Sequence, residues 1–384
     1  MRPATGYFFE DYAIGHTFDH AIPRTITHGD TALYQALTGS RNPLHCSEPF
    51  AQAMGYPTTP VDDLLVFHIA FGKTVPDVSY NAVANLGYAE CRFVQPVYVG
   101  DTLGAQTEVV GLKPNSSGKT GVVYVRSNCF NQREDLVLTW VRWVMVQRRD
   151  AVAPDAIGIP RGTRKFKAMP DPELISMQAA FQADRTAIEQ ASGGGKFWED
   201  YSAVERSDEH AAVERSDEHA AVERSDERAA VEQAATVPPL IIKHPAGITI
   251  DETDHTLATK LYQNTARVHF DLHHMKDSRF GRRLIYGGQI ISIARALSFD
   301  GLENAFTIAA INGGSHLNPT FAGDTIYAAT MPLVKWPVTD RVGALRVTLT
   351  AFKNIDPNSA EFTTAPEESK VLTLDLTLLI PRRH

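Results

Sequence analysis

At 384 residues the chain is too long for one ordinary domain and suits two cores of about 130 to 150 residues each. Its 43% hydrophobic and 21% charged residues describe a globular protein, and a net charge of -8 without a basic stripe argues against a nucleic-acid surface. The three cysteines, Cys46, Cys91 and Cys129, form no CxxC pair and give no zinc signature; no apolar run approaches the roughly 18 residues of a membrane span, so the expected location is cytoplasmic, with no metal and no membrane partner.

Residues 8–27 read as a turn around Gly15 followed by a short strand ending in RTIT. Asp30 is a plausible N-cap for TALYQALTG, where Leu33, Tyr34 and Leu37 share a face and Gly39 stops the helix. After the loop SRNPLH comes the short helix FAQAMGY, and then VDDLLVFHIAFGKTV at 61–75, an apolar run of helix length bounded by Pro60 and Pro76. A helix this apolar is buried all round. From 81 to 147 the pattern turns to strands, AVANLGYAECRF, TLGAQTEVVGL, GVVYVRSNCF and LVLTWVRWVMVQ, separated by turn sequences. One apolar helix followed by an antiparallel meander that wraps it is the hot-dog arrangement, an α+β fold.

Residues 151–237 differ in kind. FQADRTAIEQ is helical, Gly193–Gly195 breaks it, and AVERSDEHA then occurs at 203–211 and 212–220, with AVERSDERA at 221–229. This tandem repeat buries too little apolar surface to offset chain ordering and reads as an expanded linker. A second module is expected over 238–384. RTIT aligns with GITID at 247–251, Asp30 with Asp254, His45 with His269, Pro96 with Pro319, and GDT at 100–102 with GDT at 323–325. The strands ALRVTLTAFKN and VLTLDLTLLI repeat the meander, so the chain is one module (1–150) written twice, a double hot-dog.

The loop SRNPLH ahead of an apolar helix, followed by PVYVGDTL in a meander, resembles the MaoC-like hydratases and dehydratases that act on acyl-CoA thioesters. In that family the loop reads Gly-Asp-x-Asn-Pro-x-His. The resemblance implies that Asp and His handle the water, that Asn positions it, and that amides at the start of the central helix polarise the thioester carbonyl. It covers residues 8–148 and 240–382 and implies no cofactor beyond the CoA of the substrate. Longer strings, among them DDLLVFH, NAVANLGYAE, TWVRWVM, LYQNTARVHFD and FGRRLIYGG, resemble the branch of the family that adds water to, or removes it from, a short branched dicarboxylyl-CoA.

The chain departs from that loop pattern. The family's Asp position holds Ser40 in the first module, where Asn42, Pro43 and His45 remain; in the second it holds Asn264, with Ala266 in place of Asn and His269 retained. The candidate catalytic residues are therefore His269, Asn264 and Asp271 in the second module and His45 and Asn42 in the first. Asp271 stands in for the missing acid, with Asp62 and Asp63 as alternatives, though each acid is equally suited to capping a helix. Gly287 and Gly288 expose backbone amides at a helix start beside Tyr286; the first module has VDDLL there, whose acids would repel an enolate. This favours the second module for catalysis. Arg267, Arg282 and Arg283 suit an acyl carboxylate and CoA phosphates. The missing acid leaves two other readings open, a general (R)-specific enoyl-CoA hydratase and a non-catalytic acyl-CoA binding module. The modules are expected to pair within the chain, and a homo-oligomer is possible.

Overall fold

The computed structural model describes residues 6–150, 162–163, 181–205 and 240–383. In the first module, β1 (Thr17–Thr25) leads into α1 (His28–Thr38), the short α2 (Pro43–Cys46) and α3 (Glu48–Ala53), and the central α4 (Asp63–Thr74). Every residue of α4 after Asp63 is buried. The strands β2 (Ala82–Phe93), β3 (Thr102–Pro114), β4 (Thr120–Phe130) and β5 (Leu136–Gln147) form the sheet around it. These spans lie within two residues of the expected strands, because turn residues bound each run. The N-cap of α1 is Thr27, not Asp30. Asp30 sits at the third helical position and its carboxylate bonds back to the Thr27 amide at 2.8 Å, completing a capping box.

A two-residue β6 (Gly162–Thr163) pairs with β3. Next come α5 (Arg185–Ser192), ended by Gly193 in the left-handed conformation, and β7 (Val204–Glu205). The second module continues with β8 (Ile242–Lys243), β9 (Ile248–Thr249), α6 (Glu252–Leu261), α7 (Arg267–Phe270), α8 (Leu272–Met275) and the central α9 (Gly287–Leu297). Its meander is β10 (Thr307–His316), β11 (Thr325–Pro337), β12 (Val342–Lys353) and β13 (Lys370–Pro381).

All thirteen described strands belong to one sheet, in the order β1-β3-β4-β5-β2-β10-β13-β12-β11-β7, with β8 and β9 also on β11. The halves meet where β2 pairs antiparallel with β10, Tyr88 opposite Gly314 and Arg92 opposite Ala310. The two central helices share one core that includes Phe67, Phe71, Tyr262, Tyr286 and Ile290. This is the double hot-dog.

The module boundary differs from the sequence expectation. Residues 181–205 are not a free linker: Phe181, Ile188 and Phe197 pack with Phe50 and Met54 of the first module and with Phe306 and Val342 of the second. The second module begins with Phe197-Trp198-Glu199-Asp200-Tyr201, which reproduces Phe8-Phe9-Glu10-Asp11-Tyr12. Both are single 3-10 turns closed by an aspartate on the preceding amide, Asp11 on Phe8 at 2.8 Å and Asp200 on Phe197 at 3.0 Å. Phe9 fills the space a side chain at Gly121 would need, and Trp198 fills that at Gly343. Arg148 and Arg149 bind Glu10 and Asp11, as Arg382 and Arg383 bind Glu199 and Asp200. The repeat thus begins inside the second module, directly after this turn. Val204 and Glu205 of the first copy pair with β11; the rest of the repeat lies outside the described residues.

At Gly72 of α4 the backbone of the second module packs directly on the helix, a Cβ there falling 1.7 Å from the Tyr262 carbonyl oxygen. Gly72→Ala is expected to lower stability in urea unfolding by about 1–3 kcal/mol through overpacking. Gly104→Ala, whose Cβ meets nothing within 4 Å, should change stability by no more than about 0.5 kcal/mol.

Candidate active site

The duplicated histidines hold the same geometry. His45 Nδ1 donates to the Pro60 carbonyl at 3.0 Å, and His269 Nδ1 donates to the Leu284 carbonyl at 2.9 Å. Since a carbonyl only accepts, Nδ1 carries the proton and Nε2 is left with the lone pair. Their surroundings are not the same.

Around His45 the space is filled. Asn42 accepts from the Leu44 amide at 3.1 Å and donates to the Phe306 carbonyl at 2.6 Å, so it caps α2 and ties it to the other module. Asp62 caps α4 by accepting from Leu64 N at 2.9 Å, and Asp63 accepts from Ile308 N at 2.8 Å. Burial pushes the Asp63 carboxyl up to about 6. With Arg295 and Phe299 these residues leave a cavity of roughly 20 Å³, room for a single water. His45 and Asn42 thus do not face an acyl-sized site.

Around His269 the wall opens into a cavity of about 500 Å³ built from both modules. The second module supplies Asn264, Arg267, His269, Tyr286, Gly287 and His316, and the first supplies Tyr80, Tyr88 and Arg142. Asn264 is buried and its side-chain oxygen accepts from Ala266 N at 3.2 Å, holding the loop that presents His269. Arg267 lies over the Tyr80 ring at 4.7 Å. Gly287 opens α9, so its amide and that of Gly288 belong to the first turn, where no intrahelical acceptor exists. A side chain at Gly287 would strike the His316 ring, and one at Gly288 the rings of Tyr286 and His68. Gly288 therefore serves ring packing and does not line the cavity.

Three sequence candidates are placed elsewhere. Asp271 is exposed and caps α8, accepting from His274 N at 2.9 Å; that bond holds its carboxyl below the usual range. Arg283 is bound to Glu252 and Thr256 and lies off the cavity wall. Arg282 is exposed and stacks on Phe321, also off the wall. Arg279, which reads as solvated surface, reaches the exposed rim. Asp271 and the two arginines lie in a loop whose polar residues look alike in sequence, and only capping and pairing separate them.

His316 is a residue that sequence reasoning missed. It lies at the end of β10 against Gly287, and its Nε2 meets the Tyr88 hydroxyl at 3.1 Å. Burial, then His269, lowers it to about 4, and burial lowers His269 to about 4. Behind them a hydrogen-bonded chain joins the two mouths. Tyr34 donates to Ser292 (3.0 Å), Ser292 meets His68 Nε2 (2.8 Å) and His68 Nδ1 meets the Tyr286 hydroxyl (3.3 Å). If each link donates in that order, the Tyr286 proton is left for the cavity. No Asp or Glu among the described residues lines it.

A family model described as a MaoC like domain matches residues 10–129. The chain is 45% identical, over 98% of both sequences, to a protein of Chloroflexus aurantiacus named beta-methylmalyl-CoA dehydratase. The chain belongs to the MaoC-like hydratase and dehydratase family. A protein of Cereibacter sphaeroides named mesaconyl-CoA hydratase is 44% identical over the full length of both chains. The structure of a MaoC domain dehydratase from Chloroflexus aurantiacus superposes with a TM-score of 0.84 at 44% identity, covering all of both chains. This MaoC-like chain has no helix, among the described residues, long and apolar enough to cross a membrane.

The buried histidines give the protein a defined acid response. His269 and His316 (about 4), with His68 and His255 (about 3), are all lowered chiefly by burial. The unfolded chain therefore takes up their protons first, near the ordinary 6.5. Their contribution to stability is complete above about pH 6.5 and is lost as the pH falls toward 4. Asp63 has the opposite sign, the folded state holding its proton between 3.8 and about 6, but it is one group against five histidines, since burial lowers His244 as well. Thermal melts are expected to show a midpoint several degrees lower at pH 5 than at pH 7.5. An unchanged midpoint would contradict the neutral histidines.

Proposed function

We propose that this chain catalyses the reversible hydration of mesaconyl-CoA to β-methylmalyl-CoA, the reaction named for its near full-length relatives. The observation that carries the reading is the acyl-sized cavity in which His269 faces the amino end of α9. In the hydration direction His269 Nε2 takes a proton from water as the water oxygen bonds the β-carbon. The electron pair of the conjugated double bond moves onto the thioester oxygen. The amide of Gly287 and the Tyr286 hydroxyl supply donors for that enolate oxygen. As the enolate collapses, the imidazolium returns the proton to the α-carbon, so water is added and His269 is restored. Dehydration is the reverse.

One neutral imidazole serving as base and then acid fits a site with no carboxylate on its wall among the described residues. The burial that keeps His269 neutral in the resting site also makes its imidazolium a strong proton donor to the α-carbon once formed. Arg267 and Arg279 give the cavity positive charge suited to the CoA phosphates. The reaction as proposed needs no cofactor beyond the CoA carried by the substrate.

Loss of the mesaconyl-CoA thioester absorbance upon addition of the purified protein tests the reading, and no change would overturn it. His269→Ala is expected to lower kcat roughly 10²–10⁴-fold. His45→Ala, in the filled mouth, should keep kcat within about threefold, the range of an alteration remote from the reacting atoms. The opposite ranking would move the reaction to the first module.

A further inference from the structure

Arg142 on β5 is fully buried, yet no carboxylate among the described residues balances its charge. One nitrogen, Nη2, donates to Thr74 Oγ1 at 2.9 Å and to Ser79 Oγ at 3.1 Å. Nε and Nη1 have no acceptor among the described residues. The groups that favour its charged form electrostatically are three tyrosines, Tyr88, Tyr286 and Tyr12, with no carboxylate among them. Burial lowers it to about 10, so it remains a cation at neutral pH. Its guanidinium lies 4.2 Å from the centre of the Phe71 ring.

A buried cation with free donors is costly unless a partner arrives. Surface arginines are common; this one has no exposure and lines the large cavity together with His269, Tyr286 and Gly287. Its place in β5 is also unusual. Leu138, Trp140, Val144 and Val146 occupy the same inward face and are all completely buried, so Arg142 is the charged residue in an otherwise apolar row. The other cations of the wall, Arg267 and Arg279, are partly or fully exposed and suit groups that stay near solvent.

We infer that Arg142 is the acyl-carboxylate anchor, a specificity-determining residue from the first module that selects a dicarboxylyl thioester for the site in the second. This rests on the proposed reaction. The free carboxylate of the acyl group supplies the missing counter-ion at the guanidinium, side-chain shifts in the wall opening the enclosed Nε and Nη1 donors to it, while the thioester oxygen lies at the start of α9. A monocarboxylic acyl chain leaves the cation unpaired, so discrimination comes as much from rejecting the neutral chain as from binding the charged one.

The test compares mesaconyl-CoA with its neutral analogue, in which a methyl group replaces the carboxylate, in wild type, Arg142→Met and Arg142→Lys. Arg142→Met is expected to lower kcat/KM for mesaconyl-CoA by roughly 100-fold or more, the size of a lost buried charge pair, while turnover of the neutral analogue stays level or rises. Arg142→Lys should recover part of the loss. Methylsuccinyl-CoA, a saturated analogue that cannot react, should raise the melting temperature of wild type and not of Arg142→Met; this also checks that the variant is folded. Equal losses on both substrates, or a methylsuccinyl-CoA shift that survives in Arg142→Met, would overturn the assignment. If wild type leaves mesaconyl-CoA untouched but shows an Arg142-dependent shift with methylsuccinyl-CoA, the proposed reaction fails and the anchor stands.

Discussion

The antiparallel pairing of β2 with β10 is the contact on which the rest of the molecule depends. It joins the two four-stranded meanders into one sheet and sets the two central helices side by side. The approach requires small residues. A side chain at Gly87 would run into Trp143 and the Gly314 carbonyl, and one at Gly314 into Leu374. Tyr88, next to Gly87, then reaches His316, and Arg142 of the neighbouring β5 reaches the same cavity. Neither module alone encloses that space. The cavity is a property of the junction.

Duplication followed by divergence explains the two mouths in electrostatic terms. Both keep the bond from a histidine to a carbonyl, which fixes the imidazole and its tautomer. At the helix start the first module has Asp62 and Asp63, while the second has Tyr286 and Gly287. Of the two carboxylates there, Asp62 occupies the first-turn amide of Leu64 and Asp63 the Ile308 amide, and both oppose negative charge. A tyrosine and a glycine leave those amides open and add a hydroxyl donor. The filled mouth is not idle: Asn42 and Asp63 bond to the backbone at Phe306 and Ile308 of the other module. One copy of the site has become part of the framework that holds the other.

Much of this was legible in the sequence, for reasons that can be named. The strands of the first meander and the helix at 61–75 are bounded by turn residues and carry uninterrupted patterns, so they were found within two residues. His269, Asn264, Arg267, Tyr286 and Gly287 were brought together as expected, because the duplicated loop carries them on adjacent turns. Asp271 was misread because an aspartate that caps a helix looks the same in sequence as one that holds water. His316, Tyr88 and Arg142 depend on a strand pairing between modules and have no local signature. Arg142 left one usable trace, a charge on the inward face of LVLTWVRWVMVQ between Trp140 and Val144. The start of the second module was hidden because the repeat separates FWEDY from GITID.

That displacement bears on how the repeat is tolerated. Val204–Glu205, at the start of the first copy, and Ile242–Lys243, beyond the last, both pair with β11, at Val334–Lys335 and at Ala329–Thr330. The intervening chain therefore leaves and rejoins the same strand within a few residues, far from the β2–β10 seam. Even counted as an unstructured loop, one more nine-residue copy would add only about 0.2 kcal/mol of closure entropy, since that cost grows with the logarithm of length. Copy number is thus nearly invisible to the folding equilibrium, and a tandem duplication of this segment can lengthen or shorten the chain without moving any residue of the cavity.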